Sequence, residues 1–305
     1  MEKILVLLST YNGHSFLAEQ IDSLFNQKGV ETYLLVRDDG SKDDTIDILK
    51  RYLEKNPSKI KIIEGHNIGW KKSFFELIKY AATYYPDFDY FAFCDQDDIW
   101  LPNKLHRGID CIKTLKNDVR LYLSDLIYYK NGVQYGKIRK GTVIPTVKNC
   151  LIRNYATGCT LVFNKKLLHL IDKRKSDRPF PHDYWAYLVG VLCGAVYCDP
   201  NSYILYRQHE NNQIGIKNGF FSIWQRRIKR LQSSIGSHER EVLASELKDS
   251  YTNYISKDGE KALDKVINYR KSFKSRMQML LDNDFTYNKK SNDFWLKVRI
   301  ILGCL

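Results

Sequence analysis

The first 130 residues of the chain predict an α/β fold in which helices flank a mainly parallel central sheet. Short apolar runs alternate with segments whose apolar residues recur at helical spacing, and a polar loop follows each apolar run. Alternation of this kind builds right-handed strand–helix–strand units, which place successive strands side by side in the same direction. At 305 residues, the chain is long enough for one such domain and a smaller second region.

Four strand–helix pairs account for most of residues 4–115. The strands are short apolar runs at Ile4–Leu8, Thr32–Val36, Ile60–Ile63 and Tyr90–Cys94. The helices have apolar residues three and four positions apart, at His14–Asn26, Asp43–Tyr52, Ser73–Tyr84 and Lys104–Leu115, with Pro102 marking the start of the last one. Beyond residue 119 we expect short strands at residues 121–123, 127–129, 160–163, 196–198 and 203–205, and helices at 167–171 and 184–192.

The chain becomes helical and basic near its end, so we predict a domain of residues 1–216 and a C-terminal region of residues 217–305. This region has 18 basic and 10 acidic residues, a net charge of +8 out of +13 for the whole chain. Residues 220–235 predict an amphipathic basic helix that suits an anionic membrane surface. Packing of its apolar stripe on the protein is the commoner arrangement and stays open. A second apolar stripe, at residues 294–302, could dock to a membrane, a partner subunit or the core.

The sequence lacks the signals of several protein classes. No stretch reaches the roughly 18 apolar residues of a membrane span, and the first apolar run is too short for a secretory signal. The seven cysteines include no Cys-x-x-Cys pair, which disfavours zinc sites and disulfides and favours a cytoplasmic protein. The glycine motifs of P-loop and dinucleotide enzymes are missing. A single dense basic cluster, Arg226–Arg230, is too little to predict a nucleic-acid partner.

Three carboxylates lie within the four residues Asp95-Gln96-Asp97-Asp98, directly after the fourth predicted strand. Ligands of open α/β sheets bind at this end of the strands. Crowded carboxylates repel one another unless a cation or a donor-rich ligand lies among them. Oxygen ligands of this kind suit Mg²⁺ or Mn²⁺ bound to a diphosphate. An acidic loop in water, with Asp98 capping the next helix, explains the same residues about equally well.

Polar loops also follow the first three predicted strands, at Ser9–Gly13, Asp38–Ser41 and Asn67–Trp70. Because parallel strands end at the same edge of a sheet, all four loops can meet at one crevice. There Tyr11 can stack on a nucleotide base, and Asp39 can accept hydrogen bonds from a pyrimidine or a ribose. Asp95 can reach a ribose, and Asp97 suits a metal that bridges two phosphates. The structural alternatives are simple Asn-Gly and Asp-Gly turns and a helix N-cap at Ser41.

Longer motifs resemble the family 2 glycosyltransferases of the GT-A fold. The stretches LLSTYNG, VRDDGSKDDT, NIGWKKSF and FCDQDDIWLPNKL are similar to the nucleotide-sugar-binding half of these enzymes. The forms DQDDIW and NIGWKKSF, followed by TGCTLVFNKKLL, PHDYW and YRQH, are similar to bacterial rhamnosyltransferase-type members. The resemblance covers residues 3–210, and its motifs are jointly specific.

The resemblance implies a role for each matching residue. It identifies Asp183 as the general base, and it places His209 near the diphosphate, where it completes a metal shell with Asp97. The positions assigned to the nucleotide and the donor sugar are Ser9, Tyr11, Asp39, Asn67 and Asp95. On the acceptor side we place Asp98, Gly158 and His182. The sequence departs from the family at Ser9, where relatives often have Thr, and at His182, where Glu is commoner.

The residues alone leave two of these roles open. Inverting transfer needs one carboxylate to accept the proton of the acceptor hydroxyl, and Asp183 can do so. Alternatively, Asp183 caps the helix that follows, with Tyr184 and Trp185 in the core and His182 exposed to solvent. His209 can equally be a metal ligand or an ordinary surface or core histidine.

We therefore expect a metal-dependent inverting glycosyltransferase. The resemblance implies transfer of a sugar such as L-rhamnose from a dTDP- or UDP-linked donor to a saccharide or lipid-linked acceptor, in the synthesis of a bacterial cell-surface polysaccharide or capsule. Attachment to the inner face of the membrane and assembly into a homo-oligomer stay open. A nucleotidyltransferase that makes the activated sugar is less favoured, because the first loop lacks a basic, glycine-rich sequence. A nucleic-acid-binding protein is less favoured still.

Overall fold

The computed structural model of the protein describes residues 1–138, 143–209 and 238–305. These residues form two compact units. The first comprises Met1–Ile144, Ala156–Gly190 and Gly194–His209, and the second comprises Pro145–Tyr155, Val191–Cys193 and the C-terminal residues. The boundary predicted at residue 216 and the basic helix predicted at residues 220–235 both lie outside the described residues.

The amino-terminal half of the first unit is the parallel α/β arrangement that the sequence predicts. Its strands are β1 (Glu2–Thr10), β2 (Val30–Asp38), β3 (Ile60–Glu64) and β4 (Tyr90–Cys94), connected by α1 (His14–Phe25), α2 (Thr45–Lys55) and α3 (Trp70–Tyr84). The strands lie in the order β3-β2-β1-β4, and every neighbouring pair is parallel. The predicted elements are confirmed, and their ends differ from the prediction by up to three residues.

The rest of the chain extends this sheet with mixed strand directions. The next elements are β5 (Ile99–Trp100), α4 (Lys104–Lys113), β6 (Arg120–Lys130), β7 (Val133–Lys137), α5 (Val147–Ile152), β8 (Leu161–Asn164), α6 (Lys165–Asp172), α7 (His182–Cys193) and β9 (Ala195–Arg207). In the described part of the chain the sheet continues from β4 through β8, β6 and β9 to β5, with β7 beside β6. The β6–β9 pair is parallel, whereas β4–β8, β6–β8, β6–β7 and β5–β9 are antiparallel.

Several elements of this half differ from the sequence prediction. The strands expected at 121–123 and 127–129 are one strand, β6, and those expected at 196–198 and 203–205 are one strand, β9. The short elements β5, β7 and α5 were not predicted, because two to six residues carry too little periodicity to stand out. The helix predicted at Lys104–Leu115 begins at Lys104 as expected, after an Asn103 N-cap, and ends two residues earlier, at Lys113.

The core explains why the first strand is continuously apolar. Ile4, Leu5, Val6, Leu7 and Leu8 are each at most 1% exposed. β1 lies between two parallel neighbours, β2 and β4. A parallel strand of this kind is covered by helices on both faces, so that residues of both orientations are buried.

The second unit is helical in its described residues. Besides α5 it contains α8 (Glu239–Tyr251), α9 (Lys257–Asn268), α10 (Phe273–Leu280) and α11 (Lys290–Leu302). Ser256 and Ser272 cap α9 and α10 by accepting hydrogen bonds from backbone N–H groups three residues later. The apolar stripe predicted at residues 294–302 is divided, because Leu296 and Ile300 are buried while other members stay exposed. Among the described helices, none has the length and apolar character needed to span a membrane.

Gly194 provides a test of the β6–β9 register. A Cβ atom at this position would lie 2.3 Å from the carbonyl oxygen of Val119, which accepts the Ala195 N–H at 3.0 Å. We expect Gly194→Ala to reduce the free energy of unfolding by about 1–3 kcal/mol, the usual cost of overpacking. Gly190→Ala is the comparison variant, since its Cβ would meet side chains rather than backbone: Leu121 Cδ2 at 2.9 Å, Leu121 Cβ at 3.2 Å and Val196 Cγ2 at 3.4 Å. Equal midpoints in urea unfolding for the two variants would contradict the prediction.

Candidate active site

Asp97 and His209 form a side-chain pair at the carboxyl end of the central sheet. Asp97 lies in the loop after β4, and His209 lies two residues beyond the end of β9. The His209 Nε2 and Asp97 Oδ2 atoms are 2.7 Å apart, and the side chains are 22% and 19% exposed. The His209 ring stacks on Phe16 of α1, with the ring centroids 5.1 Å apart. The two residues that the sequence analysis assigns to a metal are thus brought together, although 112 residues separate them.

Asp95 lies in the same loop, and burial and the charges of neighbouring carboxylates affect its pKa. Its surroundings raise the pKa of the Asp95 carboxyl to about 7, first through burial and then through the nearby Asp97 and Asp183 carboxylates. Asp183 lies in the first turn of α7, where Oδ1 accepts the Tyr184 N–H at 2.7 Å. Asp183 is not the N-cap of this helix, because that position is occupied by Pro181. The ribose, metal and base residues of the sequence analysis therefore share one electrostatic environment.

Asp98 requires a correction to the acceptor-side assignment. Its side chain is completely buried, and Oδ1 accepts the Arg207 backbone N–H at 3.3 Å. Burial, followed by Asp97 and Asp95, raises the pKa of the Asp98 carboxyl well above its ordinary value. A side chain with no exposed surface cannot contact an acceptor in this conformation. The alternative that Asp98 caps the next helix is also wrong, since Asn103 is the N-cap of α4.

Lys104 is a second buried ionisable group beside this loop. The side chain is completely buried, and Nζ lies 3.4 Å from the centroid of the Trp100 ring. Burial lowers the pKa of the Lys104 ammonium to about 7 and outweighs the opposing effect of Cys159, Cys94 and Asp98. Cys159 is fully buried as well, in agreement with a packing role.

Asp39 connects the second and third loops of the crevice. Oδ1 accepts a hydrogen bond from Arg37 Nη1 at 2.5 Å and another from the Ile68 N–H at 2.9 Å, and Oδ2 accepts the Gly69 N–H at 2.8 Å. Asp39 is 2% exposed. Its role in this structure is thus to hold the Asn67–Trp70 loop against β2, and its assignment to the donor stays a prediction.

Arg37 is a site residue that sequence reasoning missed. Its buried guanidinium also donates to Ser73 Oγ at 3.1 Å and to the His66 carbonyl at 3.1 Å. Ser73 Oγ in turn lies 2.7 Å from Ser9 Oγ, so Ser9 belongs to this network. The signal was an arginine directly after the apolar run 34–36 of β2, because such a group is buried only with partners.

The first loop is attached to the Asp95–Asp98 loop through Gln96. The Tyr11 N–H donates to Gln96 Oε1 at 2.8 Å, and Gln96 Nε2 donates to the Tyr11 carbonyl at 3.0 Å. The Tyr11 side chain remains 43% exposed, as a base-stacking residue requires. Gly13 is needed beside Gln96, because a Cβ there would lie 2.3 Å from Oε1.

The second loop is held by its own hydrogen bonds. Ser41 Oγ donates to Asp38 Oδ1 at 2.6 Å and accepts the Asn12 N–H at 2.9 Å, so Ser41 is not a helix cap. Gly40 has φ +79°, and a Cβ there would lie 3.1 Å from the Asn67 backbone nitrogen. Asn67 itself is exposed beside this turn.

His182 and Gly158 form a buried wall next to Asp183. His182 is 3% exposed and stacks on Phe74, with the ring centroids 3.6 Å apart, so the alternative in which it is exposed to solvent is wrong. A Cβ on Gly158 would lie 2.7 Å from His182 Nε2. Burial lowers the pKa of the His182 imidazole to about 3, which keeps the ring neutral. In this conformation both residues pack beside Asp183. Their assignment to the acceptor side stays a prediction.

The donor set fits a divalent cation. The carboxylates of Asp95, Asp97 and Asp183 and the imidazole of His209 lie at this end of the sheet, and burial together with the neighbouring Asp97 and Asp183 carboxylates raises the pKa of Asp95. Carboxylate oxygens suit Mg²⁺ and Mn²⁺, and a histidine nitrogen is compatible with Mn²⁺.

The sheet topology, the acidic strand end and the facing carboxylate together define a glycosyltransferase of the GT-A fold. The family model "Glycosyl transferase family 2" matches residues 5–171, so the chain belongs to this family. It is 32% identical over 233 residues to the dTDP-rhamnosyl transferase RfbG of Shigella flexneri, covering 72% of this chain and 77% of that one. It is 29% identical over 187 residues to the Escherichia coli UDP-Glc:alpha-D-GlcNAc-diphosphoundecaprenol beta-1,3-glucosyltransferase WfgD, covering 60% of this chain and 67% of that one. The crystal structure of S. aureus TarS 1-349 in complex with UDP-GlcNAc has the same fold, with a TM-score of 0.58 and 16% identity over 98% of this chain and 81% of that one.

The buried neutral His182 predicts a specific acid sensitivity. Its pKa is about 3 in the folded protein and about 6.5 when unfolded. The unfolded state therefore binds the proton first as the pH falls below about 6.5, and folding loses stability. Between pH 7 and pH 5 this loss amounts to about 2 kcal/mol. We expect His182→Phe, which retains the aromatic packing, to lack this part of the loss in urea unfolding at the two pH values. The exposed His106→Gln variant is the control, and an unchanged pH dependence in His182→Phe would contradict the assignment.

Proposed function

We propose that the protein is a divalent-cation-dependent inverting glycosyltransferase that uses a nucleotide-diphosphate sugar as its donor. The observation that carries the proposal is the convergence of Asp95, Asp97 and His209 with Asp183 at the carboxyl end of the sheet. Family membership supports the reaction class, and the arrangement of the site supports the roles of these residues. The same family match favours a glycosyltransferase over the nucleotidyltransferase and the nucleic-acid-binding protein considered as alternatives.

Asp183 is the general base of the proposed reaction. It accepts the proton of an acceptor hydroxyl while that oxygen forms a bond to the anomeric carbon of the donor sugar. The bond from the anomeric carbon to the diphosphate oxygen breaks, and the electron pair leaves with the nucleoside diphosphate. The hydrogen bond from the Tyr184 N–H to Asp183 Oδ1 holds the carboxylate in one orientation, which suits a group that must accept a proton at a fixed position.

Asp97 and His209 would hold Mn²⁺ or Mg²⁺, which when bound neutralises the charge that grows on the departing diphosphate. Asp95, in the same loop, would bind the ribose of the donor. Tyr11, which is exposed at the end of β1, provides a surface for the base. The buried Arg37–Asp39 pair supports the loop between the base side and the sugar side.

A dTDP-linked rhamnose is the donor that the comparisons favour. The relative RfbG is named as a dTDP-rhamnosyl transferase and matches 72% of this chain, whereas WfgD, named for UDP-Glc, matches 60%. WfgD is also named for a diphosphoundecaprenol-linked acceptor, which supports a saccharide on a lipid carrier as acceptor here. The enzyme would then contribute to a bacterial cell-surface polysaccharide such as a capsule.

Such an acceptor requires the enzyme to work on the cytoplasmic side, at the inner face of the cell membrane. The surface of α10 and α11 supports this location. It exposes large apolar side chains, each between 56% and 79% accessible: Phe273, Leu281, Phe294, Ile301 and Leu302. The surrounding exposed lysines are Lys271, Lys274, Lys289, Lys290 and Lys297. Apolar groups among cations match an anionic lipid surface.

Two substitutions separate metal binding from catalysis. Asp97→Ala should abolish the Mn²⁺-dependent increase in thermal stability that the correct nucleoside diphosphate produces, because bound ligand stabilises only the folded state. Asp183→Asn should retain that increase but reduce turnover by roughly 10²–10⁴-fold, the usual contribution of a general base. Asp89→Asn, which alters a carboxylate that is 75% exposed, is the control. Normal turnover in Asp183→Asn would disprove the base assignment.

Membrane association is tested with lipid vesicles. Sedimentation with vesicles that contain phosphatidylglycerol should exceed sedimentation with neutral phosphatidylcholine vesicles, and added salt should weaken it by screening the lysines. The combined variant Phe294→Ser/Ile301→Ser should sediment several-fold less. Val133→Ser/Tyr135→Ser, which changes exposed apolar residues of β7, should behave as the unaltered protein does. Equal binding by both double variants would contradict this location.

A further inference from the structure

Arg207, the last residue of β9, is held among the elements that carry the proposed metal ligands. Its Nε donates to the backbone carbonyl oxygen of Asp97 at 2.9 Å, and its own backbone N–H donates to Asp98 Oδ1 at 3.3 Å. Its Nη2 forms an ion pair with Glu19 of α1. The guanidinium also lies over the ring of Phe16, 4.7 Å from the centroid. One side chain thus joins the loop after β4, helix α1 and the end of β9.

His209, two residues further along the chain, contacts two of the same residues, Phe16 and Asp97. Its ring stacks on the same Phe16 that Arg207 covers, and its Nε2 meets Asp97. The backbone between them is fixed by Gln208, whose N–H donates to the Tyr129 carbonyl at 2.8 Å. The position of His209 relative to Asp97 is therefore determined by contacts that converge on Arg207 and Phe16.

We propose that Arg207 is a positioning residue, which holds the Asp97 backbone and the His209 segment so that both side chains face one divalent cation. This inference rests on the proposed function, because it assigns Arg207 to the metal site of that enzyme. Among the described residues, the Arg207 side chain contacts a main-chain carbonyl, a carboxylate of α1 and aromatic rings, and these contacts give it a supporting role rather than a part in the chemical step. Residues that orient metal ligands typically change metal affinity by roughly 10–100-fold when they are altered.

The geometry requires arginine rather than another cation. The planar guanidinium directs Nε at one acceptor and Nη2 at a second while its face lies on a ring, whereas a lysine ammonium has neither the fork nor the face. Arg207→Lys keeps the charge and the backbone hydrogen bond to Asp98, since that bond uses only the main chain. It removes the fixed link to Asp97, which makes it the informative variant.

The experiment measures apparent Mn²⁺ affinity and turnover separately. Thermal stability is recorded against Mn²⁺ concentration in the presence of dTDP, and in a parallel series with UDP, and turnover is recorded at saturating Mn²⁺. We expect Arg207→Lys to need roughly 10–100-fold more Mn²⁺ for half of the stabilisation, with turnover at saturating Mn²⁺ within about threefold of the unaltered enzyme. Arg107→Lys is the matched control, since Arg107 also forms an ion pair, with Asp199 at 2.9 Å, but contacts neither Asp97 nor His209 in the described residues.

The outcomes separate this inference from the function on which it rests. An unshifted Mn²⁺ dependence in Arg207→Lys, when the unaltered protein does respond to Mn²⁺, overturns the positioning role alone. Reduced turnover at every Mn²⁺ concentration without a shift in affinity overturns it too, because this is the result expected of a merely structural arginine. An unaltered protein whose nucleotide binding ignores Mn²⁺ overturns the proposed metal dependence, and the inference with it. If Arg207→Lys fails to fold, Glu19→Gln is tested instead, because it removes the exposed carboxylate that pairs with Arg207. For the inference to stand, Glu19→Gln must raise the Mn²⁺ concentration needed for half of the stabilisation.

Discussion

Negative charge crowded at the carboxyl end of β4 is the constraint around which the active-site half of the protein is arranged. Each carboxylate meets this constraint differently. Asp97 pairs with His209, and Asp98 is buried against a backbone N–H with a strongly raised pKa. Asp95, between Asp97 and Asp183, is left with an elevated proton affinity. Carboxylates kept this close together repel one another, and this repulsion would favour binding of the proposed divalent cation.

The loops around this charge are connected to one another rather than being independently mobile. Gln96 makes two hydrogen bonds to the backbone of Tyr11, which connects the loop after β1 to the loop after β4. Asp39 and Arg37 fix the third loop to β2 in the same way. A crevice that is formed before the substrate arrives loses less conformational entropy on binding and keeps reacting groups near their productive positions. Gln96, Arg37 and Asp39, which lie within the recognised motifs, therefore contribute by holding the loops in place.

The parallel half of the sheet could be predicted from the sequence, whereas several elements of the other half could not. β1 to β4 were predictable because buried parallel strands are continuous apolar runs followed by turn-forming residues. β9 was divided into two by Asp199 and Pro200 in the middle of its pattern, and β5 is too short to show any pattern. Linear motifs also located Asp97 and His209, but no local pattern could reveal that they meet or that Asp98 turns away from the crevice. Side-chain direction in a loop depends on partners distant in sequence, such as Arg207.

The contact between Gly158 and His182 restricts how this enzyme can vary. The imidazole occupies the space that any larger residue at position 158 would need, and the ring is held by stacking on Phe74. A descendant that acquires alanine at position 158 must at the same time accept a smaller group at position 182, or move the helix that bears Asp183. The two positions are therefore expected to covary, and an exchange of histidine for another residue at 182 would reshape the surroundings of Asp183, the proposed base, while leaving Asp183 itself unchanged.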